Sequence, residues 1–190
     1  MSNLSRRRRA STMAPITDKN RQASPKEPRI SMRTRQRAQH EHDLHNHFDI
    51  LSMSRLDRLK HYGLHFAKYS GRFARGDAEV KTRRETLVDA FLVALSAANA
   101  LNQALPDVGT GGLIGDAISD LDFTDHAGRF ADACEKIDHL EEFRAIALAA
   151  NAALSEWIVC SAKAAGFDLD ALVDDRRRQL ARRQVYAQET

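Results

Sequence analysis

From residue 55 onward the apolar residues recur with a helical period, and before it they show almost no period at all. Leu56, Leu59, Tyr62 or Gly63, Phe66, Ser70 and Phe73 fall three and four apart, which predicts a helix over 55–75 with one buried face. Ser54 suits its N-cap and Gly76 its end. A second helix is expected over 83–104. Its stretch 87–101 is apolar nearly all round, the mark of a helix enclosed by neighbours, and its polar exceptions are Asp89, Ser96, Asn99 and Asn102. A third helix over 124–144 carries the stripe Phe123, Ala127, Phe130, Cys134, Ile137 and Leu140. An Ala-rich fourth helix over 145–165 either continues the third or follows a kink near Arg144, and Gly166 stops it. Asp168 or Asp170 then caps a last, arginine-rich helix reaching about residue 188.

Residues 106–118 read as a connector. Gly109, Gly111, Gly112 and Gly115 invite a phosphate-cradle reading, but no strand precedes them and no Gly-Lys-Ser/Thr follows, which excludes a Walker A loop. Residues 1–47 read as a basic, disordered arm, because so few apolar residues cannot offset the entropy of ordering. Residues 48–190 form the helical domain.

Charge sharpens that division. Residues 1–37 hold eleven Lys/Arg against two acids, a net +9, so the rest of a chain of net +3 is mildly acidic at −6. Arg6, Arg7, Arg8 and Arg9 are the densest point and suit nucleic acid or another polyanion. His40, His42, His45 and His47 follow, but at a junction rather than on a scaffold with a closed ligand set, which favours linker histidines over a metal site. His61 and His65 share a helix face without an HExxH motif. The two cysteines, Cys134 and Cys160, form no C-x-x-C pair and read as core thiols of a reduced, cytoplasmic protein. No uninterrupted apolar run reaches the roughly 18 residues of a membrane span.

A short repeat organises the body. Gly71-Arg72-Phe73-Ala74 recurs as Gly128-Arg129-Phe130-Ala131, and Leu87-Val88-Asp89-Ala90-Phe91 resembles Leu154-Ser155-Glu156-Trp157-Ile158. Each unit would be an amphipathic helix followed by a buried one with an acid near its start. The expected fold is all-α: a four-helix-type bundle of two pseudo-repeated hairpins with an added C-terminal helix. Hairpins with uncovered apolar faces would favour a homodimer.

Asp89, among Leu87, Val88, Phe91 and Leu92, is the most informative residue, since a buried carboxylate needs a partner. The run Lys68-Tyr69-Ser70-Gly71-Arg72-Phe73-Ala74, the buried helix from Thr86 to Leu95 and the ending Ala164-Ala165-Gly166-Phe167-Asp168-Leu169-Asp170 resemble the MazG-like all-α nucleotide pyrophosphohydrolases. The likeness covers about residues 50–180. It implies hydrolysis of a nucleoside triphosphate to monophosphate and pyrophosphate, with Mg²⁺ held by Glu-Glu-x-x-Glu on one helix and Glu-x-x-Asp on the next. Asp89 matches the aspartate, but Thr86 replaces the glutamate before it, and the first motif's acids fall on Lys68, Tyr69 and Arg72. In the second unit the same positions hold Asp125, His126, Arg129, Ala153 and Glu156.

Two arrangements would satisfy Asp89. Lys68 or Arg72 could neutralise it directly. Alternatively, Asp89, Glu156 and Asp125 could converge on one metal, with Lys68 and Arg72 contacting phosphate. The second arrangement is a Mg²⁺-dependent pyrophosphohydrolase. The first suits a catalytically degenerate relative, or a non-catalytic oligomerisation and interaction module with a nucleic-acid-binding arm.

Overall fold

A computed structural model describes residues 30–108 and 119–183, and among these it is all helical. The helices are α1 (Met32–Asn46), the single turn α2 (Phe48–Leu51), α3 (Arg55–Arg75), α4 (Arg83–Leu101), α5 (Asp120–Asp138), α6 (Arg144–Ala164) and α7 (Leu169–Ala181), with a 3-10 turn over Gly76–Ala78. The glycine-rich segment 109–118, Arg6 to Arg9 and the end of the predicted last helix lie outside the described residues.

Two hairpins, α3–α4 and α5–α6, make a four-helix bundle. Within each hairpin the helices pack together; across the bundle α3 meets α5 and α4 meets α6. First helix on first helix and second on second is the arrangement a pseudo-twofold requires. The aromatic core obeys it too. Phe66 meets Phe130 edge-on at 5.0 Å between ring centroids, and Phe73 meets Phe123 at 4.9 Å. The repeat maps Phe66 onto Phe123 and Phe73 onto Phe130, so the two contacts are one contact seen twice. Edge-to-face pairs of this kind add about 0.5–1.5 kcal/mol beyond burial. Trp157 closes the layer against Phe73 and Phe123, its indole N–H donating to the Ser119 carbonyl at 2.8 Å.

Local signals explain the boundaries. Thr82 and Glu85 form a capping box at the start of α4, as Ser119 and Asp122 do for α5, four residues earlier than the apolar stripe predicts. Helices α5 and α6 are separate. Leu140 adopts φ 57° and is fully in solvent rather than on the stripe, and the Glu141 amide returns to the Lys136 carbonyl, closing α5 in the Schellman manner without glycine. Asn102 ends α4 in the same left-handed conformation. By length and composition α6 could span a membrane, yet it is a core helix with 56% of its most apolar window buried.

The assignment of residues 1–47 to a disordered arm fails for its last third, which is helix α1, packed on α4 and α7. Its buried residues are Met32, Gln36, Gln39 and Asp43, four, three and four apart. The helical period is present but written in polar residues. Opposite them, the polar exceptions of α4 supply partners. Ser96 Oγ donates to Asp43 at 2.6 Å, and Asn99 Nδ2 donates to the Gln36 carbonyl at 3.0 Å. Gln36 Nε2 donates to the Gln103 carbonyl at 2.7 Å, and its amide oxygen accepts from the Leu105 N–H. Arg177 of α7 donates to Gln39, which donates in turn to Asp43 at 2.8 Å. Helix α4 is therefore covered on every side, by α3, α6, α1 and α7, which is why its sequence is apolar all round except along the α1 seam and at Asp89.

Candidate functional site

Asp89 lies nearly two turns into α4, facing α7 and the turn that leads out of α3. Its side chain is 11% exposed. Arg176 Nε donates to Oδ1 at 2.7 Å, and the Lys81 ammonium is in direct contact with Oδ2. Arg72 Nη1 stands 3.8 Å from Oδ2. A second acid, Glu79, joins the same cluster: Arg75 donates to it at 2.8 Å, and Arg72 Nε lies 3.9 Å away. The salt bridge from Arg75 holds the Glu79 carboxyl below its ordinary range.

The expectation that Lys68 or Arg72 neutralises Asp89 is half met. Arg72 is adjacent, but the groups in contact are Lys81 and Arg176. Lys68 is exposed and turns instead to His65, 2.9 Å from its Nδ1, and lies over the Tyr69 ring. Burial, with Arg72 and Lys81 nearby, lowers the Lys68 pKa. Tyr69 keeps its hydroxyl 3.2 Å from His65 Nδ1, and burial pushes its pKa well up. Two cavities flank the 81–82 turn. One of about 520 Å³ is lined by Lys81, Arg84, Arg176 and Gln179 among others, and one of about 470 Å³ by Arg72, Lys81, Arg83 and the buried hydroxyl of Thr86, which has no partner.

The composite metal site is not assembled. Asp125 is exposed on α5 and paired with Arg129 at 2.8 Å, which lowers its pKa. Glu156 is exposed on α6. Among the described residues no three acidic, histidine or cysteine side chains gather around a point. The pseudo-twofold that should make Asp89 and Glu156 equivalent is broken by α7, which covers α4 but leaves Glu156 in water.

No family model, curated protein or solved structure matches this chain. At the five positions where the resemblance expects carboxylates stand Lys68, Tyr69, Arg72, Thr86 and Asp89, and the one acid is spent on an ammonium and a guanidinium. Mg²⁺ is held by one or two free carboxylates together with waters and substrate phosphates, and the one acid here is already paired. These residues do not fit Mg²⁺.

Sequence reasoning missed Lys81, Arg176 and the whole α1 seam. Arg176 was one of five arginines on a helix that reads as solvated, 87 residues from its partner. Lys81 sits in a turn with no period to mark it. Only Ser96 and Asn99, polar in an otherwise apolar helix, hinted that something polar must cover α4.

Proposed function

We propose that this chain is a non-catalytic helical interaction module, a degenerate relative of the MazG-like bundles, which binds nucleic acid through its basic N-terminal segment. The observation that supports it is the occupation of Asp89 by Arg176 and Lys81. The position that in such a hydrolase would hold a metal here holds the bundle together, tying α7 and the 79–82 turn to α4. The arm supplies a sequence-independent attraction for phosphates, opposite in sign to the body that carries it.

The rival reading is Mg²⁺-dependent hydrolysis of a nucleoside triphosphate. It keeps one supporting feature, Arg72 beside Asp89, with Lys68 one turn away on α3 and open to solvent. Two measurements on the full chain separate the readings. A panel of nucleoside triphosphates with Mg²⁺ is expected to release no pyrophosphate; release that Asp89→Asn abolishes would reinstate the hydrolase. Duplex DNA is expected to bind with strong salt dependence, and replacing Arg6 to Arg9 by alanine should lower the log–log salt slope by about 3–4. Binding with no salt dependence, or none at all, would remove the interaction reading.

A further inference from the structure

Helices α3 and α5 form one side of the bundle. They lie antiparallel, since Gly63 sits beside Cys134, Phe66 beside Phe130 and Phe73 beside Phe123. The helices outside the two hairpins, α1 and α7, pack on α4, so the outer sides of α3 and α5 face water over most of their length. On that side the repeat places the same two residues twice. Leu64 is 73% exposed and its counterpart Leu121 is 77% exposed. Seven residues on, two turns along the same face, stand Gly71 and Gly128.

Neither glycine is required inside the chain. Neither has a positive φ. A Cβ at Gly128 would meet nothing within 4 Å, and one at Gly71 would meet only the guanidinium of Arg75. Gly63 gives the contrast: a Cβ there would come 3.0 Å from Cys134 Sγ, so that glycine serves internal packing. Glycine weakens the middle of a helix relative to alanine. Two glycines that the chain's own packing does not need, each two turns beyond a leucine left in water, make sockets and knobs for a surface outside the chain.

Charge identifies that surface. Helix α3 carries six Lys/Arg and one acid, a net +5, and α5 carries six acids and two Lys/Arg, a net −4. We propose that the α3–α5 side is the interface of a twofold homodimer, in which α3 of each copy lies antiparallel on α5 of the other. A face-to-face twofold can set like helix on like or unlike on unlike. The axis that runs along the helices sets the basic helix on the acidic one twice, whereas an axis across them opposes like charges twice. The unlike arrangement also has one register that seats every knob. When Leu64 of one copy stands at Gly128 of the other, Leu121 of that other copy stands at Gly71 of the first, because the spacing is seven residues in both helices and runs in opposite directions. The twofold repeats both contacts. The same register sets Lys60 opposite the exposed Asp132.

The test is sedimentation equilibrium of the nuclease-treated full-length chain across the micromolar range, where a dimer is expected. Leu64→Gln with Leu121→Gln should weaken it about tenfold or more, since each dimer returns four leucines to water. Gly128→Gln should weaken it too, by filling a socket that is empty in the single chain. Asp132→Lys should weaken it, and adding Lys60→Asp should restore it. All these side chains lie at the surface, and circular dichroism confirms the fold of each variant. A parent chain that stays monomeric overturns the proposal. So does a dimer that survives the paired leucine change or Gly128→Gln, or one whose loss in Asp132→Lys is not reversed by Lys60→Asp. The interface is independent of the arm: with Arg6 to Arg9 replaced by alanine the dimer should persist while nucleic-acid binding falls, and loss of the dimer in that variant also overturns it.

Discussion

Replacing Asp89 by asparagine removes one negative charge from a knot of Arg72, Lys81 and Arg176 and leaves the shape unchanged. Breaking a fully buried ion pair costs about 3–5 kcal/mol, because the partner is left without compensation. One feature reduces that here. Lys81 is 31% exposed and can swing into water, while Arg176, at 17%, is anchored by its place on α7. The remaining cost is that of one stranded guanidinium plus repulsion from Arg72, about 2–3 kcal/mol, or roughly 4–12 °C in Tm for a chain of this size. Urea unfolding of the parent, Asp89→Asn, Arg176→Leu and the double variant forms a cycle whose coupling term should be about 1–2 kcal/mol. Arg178→Leu is the control: it removes an exposed pair with Asp175 and should change stability by less than about 0.5 kcal/mol. If Asp89→Asn is neutral, or if the coupling vanishes, the carboxylate is not what holds α7, and the structural role assigned to it is wrong.

Acid should loosen the α1–α3 region through its two buried histidines, with burial of Asp43 raising its pKa and acting in the opposite sense. Burial, with His47 and Arg177 nearby, holds His42 down to about 4, and His65 is held to about 4 by burial and Lys68. Both pKa values lie below the unfolded value of 6.5, so their stabilisation is complete above pH 6.5 and is lost as pH falls toward 4. Urea midpoints should fall through that window and fall less in His42→Gln; a flat midpoint from pH 7 to 5 would contradict the burial of both rings. Ser96→Ala removes the donor to the buried Asp43 and should cost about 1–3 kcal/mol, with α1 amides losing hydrogen-exchange protection ahead of α3 amides. Equal loss across both helices would mean α1 is not seated by that bond.

The two hairpins were legible because they are built from apolar residues at helical spacing, and the Phe66–Phe130 and Phe73–Phe123 pairs give the short repeat a physical meaning. Helix α1 was not legible, since a search for apolar period passes over Gln36, Gln39 and Asp43 although they keep the same spacing. At the candidate site, the sequence marked Asp89 as needing a positive companion and found Arg72 nearby. It could not choose Lys81 and Arg176, because a carboxylate's partner is set by how α7 folds back and not by distance along the chain.

A segment fastened by hydrogen bonds behaves unlike one glued by oil. Its attachment surface stays wettable, so pulling it away leaves behind groups that water can satisfy instead of a sticky scar. Helix α1 follows the basic N-terminal stretch, and any load on that stretch reaches the bundle first through Met32, whose amide donates to Asp107, and Arg35, paired with Asp170 at 2.7 Å, and only then through Gln36, Gln39 and Asp43. The seam between α1 and the body is therefore polar along most of its length, with Met32 as its one apolar anchor.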